Sequence, residues 1–129
     1  MFDKVLIANR GEIALRVVRA CRELGIKTVG VFSDPDYNLL HLKFVDQKVA
    51  LGGSLPQDTY LNEEKIIRAC ELTGAIALHP GYGFLSENAE FARKLKERGI
   101  AFIGPDADLL ERMKNKLQAK RILEEAGIP

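Results

Sequence analysis

Short apolar runs alternate along this chain with longer stretches in which hydrophobic residues recur at helical spacing. KVLIA (4–8) is the first run, fit for a buried strand. Residues 12–24 follow, with Ile13, Val17, Ala20, Cys21 and Leu24 on a predicted helical stripe and Gly25 as the stop. KTVGVFS (27–33) reads as a second strand ending in the turn formers Asp34-Pro35-Asp36, and 37–47 as a short helix followed by an irregular segment. KVALG (48–52) is a third strand, and GGSLPQDTY is a loop. Asn62 is the predicted cap of a helix that has Glu63 and Glu64 in its first turn and Ile66, Ile67, Ala69, Cys70 and Leu72 as its apolar residues. AIALH (75–79) is a fourth strand. Ser86 is then expected to cap a helix with Glu87 in its first turn, the stripe Ala89, Phe91, Ala92 and Leu95, and Gly99 at its end. IAFIG (100–104) is a fifth strand, and 107–126 a final helical region carrying Leu109, Leu110, Met113, Leu117, Ile122, Leu123 and Ala126.

Near-continuous apolar strands between amphipathic helices predict an α/β fold, a mostly parallel, doubly wound five-stranded sheet with helices on both faces. Residues 1–104 form that unit, and 105–129 a helical segment leading out of it. In such sheets ligands bind outside the carboxyl ends of the strands. ANRGE, SDPD, HPGYG and GPD follow strands one, two, four and five, so the unusual residues gather at that one edge.

Composition narrows the partners. The 129 residues carry a formal charge of +1 and no dense basic run, which argues against nucleic acid. No apolar run approaches the ~20 residues of a membrane span and the start shows no signal-peptide pattern, so the cytosol is the expectation. Cys21 and Cys70 lie in helical patterns as two buried thiols, and no metal-ligand spacing is present, although His41 could approach His79 in space.

A nicotinamide site at ANRGE lacks its glycines. Gly11 stands alone, Glu12 would repel a phosphate at the helix start, and Asp34 has no dinucleotide to meet. Gly11 reads as a tight turn at positive φ. No phosphate-loop lysine motif or nucleophile triad occurs. Arg16, Arg19 and Glu23 share a helical face; that pattern fits a solvated surface with an Arg19–Glu23 pair, or a self-complementary patch across a two-fold axis. In HPGYGFLSEN (79–88), Gly81 and Gly83 remove the side chains on both sides of Tyr82. This suits a turn, or a place where backbone and ring meet a ligand.

HPGYGFLSEN, with KVLIANRGEIALRVVRACRELGIKTV at the start, resembles the N-terminal domain of biotin carboxylase, the ATP-grasp enzyme of acetyl-CoA, propionyl-CoA and pyruvate carboxylases. The likeness continues through Asp36 to His41, Tyr60-Leu61-Asn62, Phe102-Ile103-Gly104-Pro105 and Ala126-Gly127-Ile128-Pro129. It implies a pre-ATP-grasp fold and a protein that uses ATP, Mg2+ and bicarbonate to make carboxyphosphate, then carboxylates biotin held on a carrier protein or domain and serves a carboxyltransferase. It also implies that Gly81, Tyr82, Gly83 and Glu87 form a wall of the biotin pocket, that Lys116 contacts ATP, and that Arg16, Arg19 and Glu23 form a homodimer contact.

The family's lysine segment, usually M-G-D-K, is here Met113-Lys114-Asn115-Lys116, which removes the glycine that would turn the backbone. Phe32, where histidine or tyrosine is common, and Lys43-Phe44-Val45 depart as packing variation. The resemblance places catalytic residues beyond Pro129, so the expectation is a fragment inactive by itself, with no metal site and no tightly bound cofactor. A carbamoyl-phosphate-synthetase-like ligase domain, a non-catalytic assembly module and a lone cofactor-binding flavodoxin-like domain are the competing readings.

Overall fold

A computed structural model describes residues 2–127. Five parallel strands, β1 (Lys4–Ile7), β2 (Lys27–Phe32), β3 (Gln47–Ala50), β4 (Ala77–His79) and β5 (Ala101–Phe102), form one sheet in the order β3-β2-β1-β4-β5. Leu6 pairs in register with Val29 of β2 and Leu78 of β4, so β1 is the central strand and buried on both sides. The helices are α1 (Gly11–Glu23), α2 (Glu63–Thr73), α3 (Ala89–Glu97) and α4 (Ala107–Glu125). The 37–47 stretch resolves into a tight single-turn helix at Leu40–Lys43, and a second such turn occupies Asp34–Asp36.

The period of two along β1 divides the core. Leu6 and Ala8 face α2 and α3, where they join Ile66, Ile67, Phe91 and Leu95. Val5 and Ile7 face the α1 side, with Cys21 and Ile26 around Val5 and Ala14 and Val18 around Ile7. Both cysteines are free and buried, and burial with the nearby Glu71 carboxylate pushes the Cys70 thiol up to about 12. The Arg22 guanidinium lies over the Phe44 ring, 5.7 Å from its centroid.

Four sequence expectations need correction. Ser86 does not cap α3; the Asn88 side chain accepts the Phe91 N–H instead, and Ser86 and Glu87 lie in the preceding turn. Glu87 is therefore not in the helix's first turn. On α1, Ala14, Val18 and Cys21 pack under the sheet with Val17 at their edge, whereas Ile13, Ala20 and Leu24 point to an open cleft that Val17 and Cys21 also border. Leu72 is exposed on α2. Finally, α4 buries Leu110 alone; Leu109, Met113, Leu117, Ile122 and Leu123 face solvent. Its first turns rest on α3 through Leu110 packed with Ala89 and Ala92, and through Arg93, which pairs with Asp108 at 3.3 Å and Glu111 at 3.8 Å.

Candidate functional site

Reversal of strand order on either side of β1 makes a switch point, because the chain winds outward through β2 and β3 and returns to the other side at β4. A crevice opens at the carboxyl ends of the two strands that flank such a point. Here the segments leaving those ends are Asn9-Arg10-Gly11 and His79 to Phe84, and they are bonded to each other. Parallel pairing is extended one residue past the end of β1 by the Ala8 N–H donated to the His79 carbonyl at 2.9 Å. Asn9 then donates its side-chain amide to the carbonyls of Pro80 (2.8 Å) and Tyr82 (2.6 Å).

The Gly-Tyr-Gly segment lies at the C-terminal rim with the Tyr82 ring 79% exposed. Gly81 (φ +67°), Gly83 (φ +71°) and Phe84 (φ +45°) all adopt the left-handed region, and Phe84 is the one non-glycine residue among those described to do so. The two glycines are needed for different reasons. A Cβ on Gly81 would stand 2.6 Å from Asn9 Nδ2 and 2.9 Å from Ile13 Cγ2, while one on Gly83 would meet open space. His79 closes the turn from below by accepting the Gly81 N–H on Nδ1 at 3.0 Å. Burial pushes the His79 imidazole below its ordinary range, which keeps that nitrogen unprotonated at neutral pH. His79 is thus a hydrogen-bonded residue at a strand end, as its position suggests.

A cleft of about 810 Å³ runs from this loop along α1 to the start of α4. Its walls are mostly apolar, with Ile13, Val17 and Ala20 on one side and Ile103 and Met113 on the other. Gly81, Tyr82, Glu87 and Arg16 all line it, so the fold brings four of the predicted residues together. Gly83 belongs to the same loop but not to the lining. Lys116 stands exposed on α4, which passes through residues 113–116 as unbroken helix. Arg19 and Glu23 are exposed on α1 outside the cleft. The expected Arg19–Glu23 pair is not formed; Arg16 instead approaches Glu12 at 3.4 Å.

Beside the loop lies a polar cluster that spacing did not predict. Arg10 grips Asp36 with Nε and Nη2, each at 2.8 Å, and Asp36 also accepts the hydroxyls of Tyr60 (2.7 Å) and Ser33 (2.9 Å). Burial works against the Asp36 carboxylate, but these donors and the guanidinium charge outweigh it and hold the group below the usual carboxylate range. Burial and donation to Asp36 push the Tyr60 phenol up. The N-cap of α1 is thereby tied to the turn after β2 and to the segment that leads into α2. His41 is 1% exposed, its ring nitrogens find no hydrogen-bond partner among the described residues, and burial keeps it neutral. It does not join His79 in a metal site, and among the described residues no group of three His, Cys, Asp or Glu side chains is arranged to hold a metal. Asp34 accepts the Gly53 N–H at 3.3 Å, and Gly11 has the positive φ (+67°) expected of its turn. Among the described residues no helix is long and apolar enough to cross a membrane.

Comparison with known proteins places the chain in a family and agrees with its fold. The family described as biotin carboxylase, N-terminal domain, matches residues 1–110. The biotin carboxylase of Pseudomonas aeruginosa is 52% identical over all 129 residues, which span 29% of that protein. Biotin carboxylase 1 of Bacillus subtilis is 48% identical over the whole chain, which again spans 29% of it. Among solved structures, the biotin carboxylase domain dimer of Hydrogenobacter thermophilus 2-oxoglutarate carboxylase, in complex with MgADP, ADP and bicarbonate, superposes with a TM-score of 0.86 at 50% identity, covering 100% of this chain and 28% of that one. The chain thus spans less than a third of the relatives it matches, and within that span it belongs to the biotin carboxylase N-terminal domain family.

Proposed function

We propose that this chain supplies one wall of the biotin site of a biotin carboxylase. The carrying observation is the exposed Tyr82 ring, held between two glycines at the switch point beside an open apolar cleft. The complete protein uses ATP and bicarbonate to form carboxyphosphate, and the CO2 released from it is placed on the ureido nitrogen of carrier-bound biotin. Biotin suits the rim chemically, since its fused rings are flat and uncharged and the tyrosine offers a flat apolar face with a polar tip. Glu87, freed from the helix and lining the cleft, is the carboxylate nearest in sequence to that face.

ATP and Mg2+ fit less of what is present. Lys116 offers one exposed cation outside the cleft, so its ATP contact is assigned to a site completed by the rest of the protein. Arg16, Arg19 and Glu23 present both charge signs on the exposed side of α1, which suits a two-fold contact between copies. A biotin carboxyl carrier protein or domain and a carboxyltransferase are the partners of the complete enzyme, working in the cytoplasm.

The test is a chimera in which this chain replaces the matching segment of the Pseudomonas aeruginosa enzyme. Its ATP hydrolysis should depend on both bicarbonate and biotin and reach within about tenfold of the parent, a barrier difference of about 1.4 kcal/mol or less. The 129 residues alone should show none. A folded chimera whose ATP turnover ignores biotin, or bicarbonate-dependent turnover by the isolated chain, contradicts the assignment.

A further inference from the structure

We infer that Asn9 is a positioning residue that sets the biotin-facing loop, an inference resting on the function proposed above. The side chain is 4% exposed and every polar atom of it is used. Nδ2 gives its two hydrogens to the Pro80 and Tyr82 carbonyls at 2.8 and 2.6 Å, and Oδ1 accepts the Arg10 N–H at 2.8 Å. No other common side chain of this size presents two donors on one atom and an acceptor on the next.

What it holds is a loop that does not hold itself. Three of the four residues from Gly81 to Phe84 are left-handed, and Phe84 is strained in that region. Two further bonds support the loop, Gly81 N–H to His79 Nδ1 at 3.0 Å and Ser86 N–H to the Gly83 carbonyl at 2.9 Å. Neither of those reaches Tyr82. Among the described residues Asn9 alone fixes the peptide of Tyr82 from the protein side, and with that carbonyl turned inward the ring is left on the open side. Asn9 is in turn fixed from both directions. The Ala8–His79 backbone bond carries the β1–β4 register onward and sets it beside Gly81, and the Arg10–Asp36 grip anchors the next residue.

Two variants test this, in the chimera and in the 129-residue chain. Asn9→Ala removes both donors; Asn9→Asp keeps the shape and the acceptor for Arg10 but aims a carboxylate at two carbonyls. In the chimera each should raise the biotin KM by at least about tenfold, the cost of losing two bonds of ordinary net strength, with kcat and the ATP KM within about threefold. If biotin and ATP KM rise together, if neither moves, or if Asn9→Asp behaves like the parent, the inference is overturned while the proposed function stands. If the unmodified chimera shows no biotin dependence, the proposed function falls, and amide exchange in the chain decides the clamp. Gly81 and Ser86 amides exchanging at least about tenfold faster in both variants, with Leu6 and Val29 unchanged, supports it; unchanged loop exchange overturns it.

Discussion

Gly81→Ala in the chimeric enzyme should lower kcat/KM for biotin by about a hundredfold, while Gly83→Ala should lower it by less than about tenfold. Both glycines have nearly the same left-handed φ, so the backbone cost of a β-carbon, about 1–2 kcal/mol, is common to the two. What differs is the space. At Gly81 the new carbon would stand 2.6 Å from Asn9 Nδ2, 2.9 Å from Ile13 Cγ2 and 3.0 Å from Asn9 Cβ, and Asn9 cannot swing aside without giving up both loop carbonyls. Relief comes only by moving the loop, and a shift of about 1 Å at a substrate wall is enough for a hundredfold loss. Nothing lies within 4 Å of a β-carbon on Gly83. Steady-state kinetics at saturating ATP separate the two variants, and equal losses at both positions would mean that backbone conformation, not the Asn9 contact, is what Gly81 provides.

Arg10→Met should destabilise the chain by about 2 kcal/mol, read as a fall in urea midpoint at pH 7. The Asp36 side chain is 11% exposed and depends on Arg10 for its countercharge. Breaking a fully buried pair costs about 3–5 kcal/mol, but Arg10 is itself 46% exposed and Asp36 keeps its bonds from Ser33 and Tyr60, so the loss falls below that range. The pH dependence follows from the lowered pKa of Asp36. Its contribution is fully present above the unfolded carboxyl pKa, about 3.9, and is lost as pH falls through the folded value. The gap between Arg10→Met and the unmodified chain should therefore narrow below about pH 4. A gap that widens there would place the stabilisation elsewhere.

The alternation of apolar runs with helical stripes was enough to order the elements and to place the unusual residues at one rim. It could not say which side of α1 meets the sheet. That helix is apolar on two adjacent sides, Ala14-Leu15-Val18-Cys21 and Ile13-Val17-Ala20-Leu24, and periodicity serves either. The second side became one wall of the cleft. Ser86 and Asn88 are both good capping residues; Asn88 takes the cap, while Ser86 lies two residues earlier in the turn closed by its N–H on the Gly83 carbonyl. The α4 stripe has helical spacing but finds nothing to cover it past Leu110, since burial is a property of neighbours and not of the pattern.

At the site, the glycines were legible and their cause was not. Gly81 makes room for Asn9, a partner far earlier in the chain, and the Arg10–Asp36–Tyr60 cluster joins three separate turns. Contacts of that range leave no mark on spacing. Beyond the resemblance at Asp36 and Tyr60, the sequence signal for them was that Asn9 and Arg10 follow β1 and Asp36 follows β2, at the rim where polar side chains from successive strands converge.

The claim that Tyr82 faces biotin is tested most directly by the biotin KM of Tyr82→Ala in the chimera, measured beside its ATP KM. Loss of a packed aromatic face should raise the biotin KM by at least about tenfold and leave the ATP KM within about threefold. A folded Tyr82→Ala chimera with an unchanged biotin KM would contradict it.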